Sequence, residues 1–377
     1  MNHVSRAAGA EKGLADLTGR LDRKEFIPYA IVPGPGELED LLHERNVAVN
    51  HVNLRRLRRS RNPFRLAMSL LSVSAAVRQL TSFIRRENID LVHANSDTAQ
   101  IYCGAAAAGA GVPCVWHSRD LTDAGAAGRY MMKRSSRVIA VSETVKRRLL
   151  EYSFGEKDTG KIRLVRNAVD LEAFHARDTG ADARKEMAAG PENILVGTVG
   201  QIVPWKRHDL FLKTADLLAR EVPEARFAVA GDDLFGDHPD YVNSLRKKAA
   251  EGVLRGRVSF TGYRRNICAV MKAMDIIVHC AEKEPFGRSV LEAMALGKPV
   301  VAVNSCGPAE IIRDRVNGIL VKPGDPGAAA GAVKGLIRDP ERAAGLGRAA
   351  QERVRRDFKI EDLVETIQRT YRELLAV

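Results

Sequence analysis

Two successive series of short apolar runs, each alternating with helical patterns, constrain this chain more than any other feature. In the first series the β-rich runs cover 26–32, 47–52, 91–93, 115–117 and 138–141. In the second they cover 194–199, 226–230, 258–261, 276–278, 300–303 and 319–321. These runs are apolar throughout, as strands covered on both faces must be. Strand and helix in regular alternation predict parallel, doubly wound α/β sheets. Two such sheets in 377 residues predict two domains, each with its own core. Ligands of such sheets sit beyond the carboxyl ends of the strands, so the loops there are where chemistry is sought.

The longest helical pattern of the first half runs over 63–87. Between the two series, residues 167–190 are dominated by Asp, Gly and Ala and show no period, which predicts the boundary. The domains are accordingly 1–170 and 171–358, and residues 359–377 form a last helix, free to return to the N-terminal domain. The start is anomalous. Only residues 1–6 precede the loop 7–9 and a helix, so most of a first strand is expected to lie upstream of this chain. No run is long and apolar enough to span a bilayer, and no signal peptide is visible. The five cysteines have no zinc or redox spacing. A cytoplasmic protein with reduced thiols, peripheral on the inner face of the membrane at most, is the expectation.

Residues 275–318 carry the chemistry. A strand runs into Glu284-Pro285-Phe286-Gly287 and then a helix ending at Gly297; the next strand opens into Ser305-Cys306-Gly307-Pro308 and another helix. Both loops lead into helix N-termini, whose unpaired N–H groups and partial positive charge make a seat for a diphosphate. Pro285 and Gly287 allow a sharp turn and a close approach of backbone to ligand. Glu284 stands in the mouth of the loop, where it can accept hydrogen bonds from sugar hydroxyls. Glu292 lies about one turn into the helix on the face of Arg288 and Ser289, and suits a ribose diol. A solvated surface charge is the plain alternative for Glu292. Asp232, Asp233 and Asp237 read as loop and helix-start residues rather than metal ligands.

Glu284-Pro285-Phe286-Gly287, Leu291-Glu292-Ala293-Met294-Ala295, Gly297-Lys298-Pro299-Val300-Val301 and Gly307-Pro308-Ala309-Glu310-Ile311-Ile312 together resemble the donor-binding core of retaining glycosyltransferase family 4. The two glutamates of that family have seven residues between them, as Glu284 and Glu292 do. Further likeness lies in Asn317-Gly318-Ile319-Leu320-Val321, in Val165-Arg166-Asn167-Ala168-Val169-Asp170 with Phe174, in Ala140-Val141-Ser142-Glu143, and in Val199-Gly200-Gln201 with Lys206. The resemblance implies a GT-B fold of two Rossmann-like domains and a nucleotide-sugar donor gripped mainly by the second. It implies that Lys206 neutralises the diphosphate, aided by backbone N–H groups near Phe286, Gly287, Arg288, Ser289 and Val290, so that no metal cofactor is needed. Gly200, Gln201 and Arg264 complete the implied donor site, and Glu284, Lys206 and His117 its catalytic set. His117, in Trp116-His117-Ser118-Arg119, matches a family position near the reacting sugar; taken alone, a histidine at a strand end is more often structural. One departure stands out. The family usually has an arginine where this chain has Gln201, which throws weight onto Lys206, with Arg207 or Arg264 as compensating cations.

The formal charge of +12 is uneven, since residues 51–150 hold 17 Lys and Arg against 6 Asp and Glu. Arg55, Arg56, Arg58, Arg59, Arg61 and Arg65 precede a helix that mixes Leu66, Met68, Leu70, Leu71 and Val73 with small polar residues. Such a basic amphipathic segment, 55–86, predicts contact with an anionic membrane surface and a sugar or lipid-linked acceptor, as in building cell-envelope polysaccharide. A phosphorylated soluble acceptor is the alternative partner. Nucleic acid is disfavoured, because aromatic residues are only 5% of the chain and no stacking surface accompanies the arginines. Two other functions share the architecture: a nucleotide-sugar epimerase, for which no acid/base pair is identifiable, and a non-catalytic binding homologue, which Gln201 would favour.

Overall fold

The computed structural model describes every residue except 55–62, 122, 172–179 and 377. It divides into two compact units, Met1–Ala168 with Ile360–Val377, and Val169–Lys359.

In the first unit β1 (Tyr29–Val32) pairs in parallel with β2 (Ala48–His51). A second parallel sheet holds β3 (Val92–Ala94), β4 (Cys114–Ser118), β5 (Arg137–Ala140) and β6 (Ile162–Leu164), in that order. The opening residues join the two pieces. Asn2 N donates to Ile31 O at 3.0 Å, while Asn95 N donates to Met1 O at 3.0 Å. Met1 and Asn2 thus hold a strand's place between β1 and β3. The last helix, Ile360–Leu375, lays Ile360, Val364, Ile367 and Tyr371 along one stripe against Leu17, Val115, Ile139 and Val165. That spacing is the core-facing stripe of an amphipathic helix, and burying each such side chain contributes about 1.5–3 kcal/mol.

The second unit is a single six-stranded parallel sheet. It comprises β7 (Ile194–Val199), β8 (Ala225–Ala230), β9 (Val258–Gly262), β10 (Ile276–His279), β11 (Val300–Val303) and β12 (Ile319–Val321), ordered β12-β11-β10-β7-β8-β9. Its core includes Phe211 and Phe227, whose rings meet edge to face at 6.5 Å. The strand order reverses between β7 and β10. The loops after these two strands therefore diverge and leave the crevice in which doubly wound sheets bind ligands.

Two local differences from the sequence reading have physical causes. Strand β6 was not expected, since Ile-Arg-Leu is short and its arginine is not a core residue; Arg163 instead donates to Glu373 Oε2 on the last helix at 2.7 Å. Within the predicted aperiodic stretch lies a short helix, Ala181–Glu186, begun by Gly180 at φ +77°. The long helix is present as Pro63–Arg86, with Ala76, Leu80, Phe83 and Ile84 in the core and Leu71 exposed. Arg55, Arg56, Arg58, Arg59 and Arg61 lie outside the described residues, as does Phe174. Among the described residues no helix is long and apolar enough to cross a membrane. All five cysteines are free thiols; Cys103, Cys114 and Cys280 are buried, Cys268 and Cys306 half-buried.

Candidate functional site

The loop after β7 carries Gly200, Gln201 and a short turn, Pro204–Lys206; the loop after β10 carries Glu282 and Glu284. The two meet in an ion pair between Lys206 Nζ and Glu284 Oε2. His279 Nε2 lies 3.4 Å from the same oxygen. Lys206 Nζ also stands 4.5 Å from the centre of the Trp205 ring, so the ammonium has a carboxylate and an aromatic face for company. Burial alone would push the Glu284 carboxyl upward. The Lys206 ammonium and His279 outweigh it and hold the group down at about 2.

Glycines bring these loops close. A Cβ on Gly231, at φ +144°, would fall 1.9 Å from Gly200 O, so only glycine lets the end of β8 approach the loop after β7. A Cβ on Gly307 would fall 2.2 Å from Phe286 O. The loop after β11 therefore lies directly on Phe286, and Gly307 N donates to Glu284 O at 3.0 Å while Ser305 Oγ donates to Glu282 O at 2.6 Å. Glu284 is thus fixed at both ends, its carboxylate by Lys206 and its main-chain carbonyl by Gly307.

Gly287, at φ +97°, begins the helix Arg288–Ala295, and no side chain caps that N-terminus. The unpaired N–H groups and dipole there favour an anion. Phe286 and Val290 can offer a ligand only their backbone, because the Phe286 ring is buried 6.2 Å from that of Phe358 and Val290 is fully buried. Glu292 is 7% exposed and accepts from Arg288 Nε at 2.8 Å, which rules out the solvated surface charge.

Gln201 contributes its carbonyl, which accepts from His208 Nε2 at 2.9 Å. Burial pushes His208 down to about 4, so this ring is neutral at pH 7. The two candidate compensating arginines are already engaged. Arg207 reaches Glu282 at 2.7 Å and Asp209 at 3.2 Å; Arg264 reaches Glu186 at 2.6 Å and the Thr261 carbonyl at 3.1 Å. Asp232 and Asp233 serve their own loop, since Asp233 N donates to Asp232 Oδ1 and His238 N to Asp233 Oδ2. Among the described residues no His, Cys, Asp and Glu cluster is arranged to hold a metal.

His117 belongs to the first unit, in β4, and is 1% exposed. Its Nδ1 lies 3.2 Å from His93 Nε2 and 3.3 Å from Arg119 Nη2. Arg119 also donates to Asn95 Oδ1 and Asn167 Oδ1, at 3.1 and 2.7 Å. The far side of His93, its Nδ1, is 2.6 Å from the Tyr371 hydroxyl. Burial, then the nearby Arg119, holds His117 well below its ordinary value, and burial first does the same for His93. His93, Tyr371 and His279 were not legible as site neighbours, since each stands alone in a strand or helix and only the folded register brings them in.

Comparison with known proteins gives concordant results. Residues 181–353 match the family "Glycosyl transferases group 1", and residues 7–173 match "Glycosyltransferase Family 4". Among curated relatives, the D-inositol 3-phosphate glycosyltransferase of Mycobacterium marinum is 32% identical over 59% of this chain and 47% of its own length. The chain thus spans about half of that relative. The N-acetyl-alpha-D-glucosaminyl L-malate synthase of Bacillus anthracis is 25% identical over 80% of this chain and 79% of its own. Among solved structures, Anabaena HepE in complex with UDP and glucose superposes with a TM-score of 0.82 at 25% identity, covering 98% of both chains. Sucrose-phosphate synthase from Thermosynechococcus elongatus has a TM-score of 0.82 at 20% identity over 99% and 96% of the two chains.

Proposed function

The chain belongs to the glycosyltransferases of group 1 and family 4, and from that premise we propose that it moves a hexosyl group from a nucleoside-diphosphate sugar with retention at the anomeric carbon and without a metal ion. Its fold is GT-B, with two Rossmann-like units. The observation that carries the proposal is the Lys206–Glu284 pair at the reversal point of the second sheet, beside the uncapped helix N-terminus at Gly287.

In this reading the donor diphosphate takes the Lys206 ammonium and the N–H groups that begin the helix Arg288–Ala295. These donors are fixed before reaction, so they stabilise the charge that develops on the leaving phosphate without reorganising. Glu284, freed from Lys206, accepts hydroxyls of the sugar, and Glu292 accepts the ribose diol. The bond from the anomeric carbon to the phosphate oxygen breaks, and the bond to the acceptor oxygen forms on the same face. The acceptor proton passes to the departing phosphate oxygen. His117 holds a hydroxyl of the reacting sugar.

The acceptor is proposed to be anionic, whether lipid-linked or soluble. Two observations favour it. The excess of Lys and Arg is concentrated in residues 51–150, and two relatives are named for acidic acceptors, an inositol phosphate and malate.

Titration calorimetry of the chain with UDP, GDP, ADP and CDP, followed by turnover of the matching sugar nucleotides, tests the donor half. One nucleotide binding and its conjugate being consumed is the expected result. Binding without turnover, with Gln201 in the arginine's place, would turn the reading to a non-catalytic homologue. No binding to any of the four would refute the donor site.

A further inference from the structure

We propose that Tyr371 and His93 are positioning residues that fix His117 as the tautomer with its proton on Nε2, so that His117 serves transfer as a neutral hydrogen-bond donor and not as a proton acceptor. The proposal rests on the reading that His117 meets the reacting sugar, and adds to it which atom carries the proton and what keeps it there.

A guanidinium has five donors and no acceptor. Arg119 Nη2 lies 3.3 Å from His117 Nδ1, so a proton on that nitrogen would face another proton; Nδ1 therefore accepts. A neutral imidazole with Nδ1 bare carries its proton on Nε2. His93 Nε2, 3.2 Å from the same Nδ1, must then donate as well, since two lone pairs at that distance repel. One acceptor shared by two donors is an ordinary three-centre bond. With its proton on Nε2, His93 has a bare Nδ1, and the Tyr371 hydroxyl at 2.6 Å is placed to donate into it. Tyr371, 7% exposed, supplies the proton that keeps His93 from turning over to its other tautomer.

The chain of bonds runs one way, from Tyr371 to His93 to His117. It ends on an N–H that is buried and has no hydrogen-bonding partner among the described residues, His117 Nε2. A buried polar group left unmatched is unfavourable, so such a group marks a place where a ligand oxygen completes the set. Burial keeps both rings neutral, which removes the doubly protonated arrangement that would break the chain. The oxygen that accepts this N–H is a hydroxyl or ring oxygen of a sugar, since a neutral donor gives direction without the attraction for phosphate that a cation has.

The test is spectroscopic and needs no substrate. The full chain labelled with 15N-histidine is measured by long-range proton–nitrogen correlation, and His117 is assigned from the signals lost in His117→Asn. His117 is expected with Nε2 protonated and Nδ1 bare, and His93 likewise. In Tyr371→Phe both rings are expected to move toward mixed tautomers, with kcat falling about three- to tenfold and the donor KM changing less than twofold. A proton on His117 Nδ1, or a charged ring, overturns the tautomer assignment. Unchanged histidine signals and unchanged kcat in Tyr371→Phe overturn the role of Tyr371. Full turnover in His117→Ala, with the expected tautomers seen in the parent, refutes the link to transfer while the bonding pattern stands.

Discussion

The two units hold their functional side chains by opposite means. In the second, charges are matched to charges, Lys206 with Glu284, Arg288 with Glu292, and Arg207 with Glu282 and Asp209. In the first, the side chains are linked ring to ring, Tyr371 to His93 to His117, and the order proposed for them is one of neutral groups set by the direction of their hydrogen bonds. On the proposed function, the difference follows from what each would meet. A departing diphosphate needs countercharge, and an ion pair between two loops keeps a buried ammonium solvated by protein until the ligand arrives. A sugar hydroxyl needs a donor at the right angle, and charge there would add nothing to its recognition.

The largest test of this contrast is Lys206→Ala. It is expected to lower kcat/KM by about 100- to 1000-fold, the loss associated with one preorganised donor to a developing charge. Glu284→Ala should lower turnover comparably. The double variant should cost little more than either single, because the two act as a unit. Additive losses in the double variant would break the picture of one coupled pair.

Acid denaturation comes next. Glu284 is held at about 2 in the folded chain against an ordinary 4.5, so its pair stabilises the fold fully above pH 4.5 and loses that contribution as pH falls toward 2. The effect is on the order of 3 kcal/mol. His208 acts in the adjoining window. Its folded value of about 4 lies below the ordinary 6.5, so stability is complete above pH 6.5 and declines as pH drops toward 4. Urea midpoints between pH 7 and pH 2.5 should therefore fall in two stages. Glu284→Gln should flatten the lower stage alone; a flattening of the upper one instead would show that the pair is not what holds that carboxylate.

Gly307→Ala places a Cβ 2.2 Å from a backbone oxygen that has no flexible end to move aside. A loss of about 1–3 kcal/mol is expected, as for other overpacked sites, with donor affinity falling alongside because the two loops part. An unchanged melting temperature would mean that the contact is relieved at no expense. His117→Ala should lower kcat about tenfold, near the worth of one directed hydrogen bond. A loss as large as that of Lys206→Ala would erase the contrast between the units. The smallest effect belongs to Arg264→Ala. Its partner Glu186 is exposed, so stability should change by less than about 1 kcal/mol and donor KM by less than about threefold. A tenfold rise in KM would identify Arg264 as the cation that stands in for the arginine missing at Gln201.

Much of this was legible because buried parallel strands leave an unbroken apolar trace. The runs at Ile194–Val199, Val300–Val303 and Ile319–Val321 mark their strands without error. Strand β6 left no such trace, since a three-residue strand with a charged middle residue carries no period. The glutamates of the second unit were readable from their spacing and from the resemblance it carries. Their bonding was not. Lys206 and Glu284 are 78 residues apart, and only the reversal of strand order between β7 and β10 makes them neighbours. Nor did the chain disclose that Phe286 and Val290 bury their side chains and leave backbone alone for a ligand, because a loop residue and a core residue look alike when both are apolar. Tyr371 illustrates the far limit, lying 278 residues from the histidine it touches.

That last helix has a consequence for how the protein is made. The first unit contains both Met1–Ala168 and Ile360–Val377, whereas the second is a single uninterrupted stretch. On a ribosome the second unit has all its residues in hand while the first still waits for its closing helix. At roughly 5–20 residues per second the wait is on the order of ten seconds or more. During it, the apolar faces of Leu17, Val115, Ile139 and Val165 have no cover from Ile360, Val364 and Ile367. A nascent chain stalled short of Ile360 is therefore a natural client for chaperones, and emergence of the helix that begins at Ile360 is the event that covers these faces.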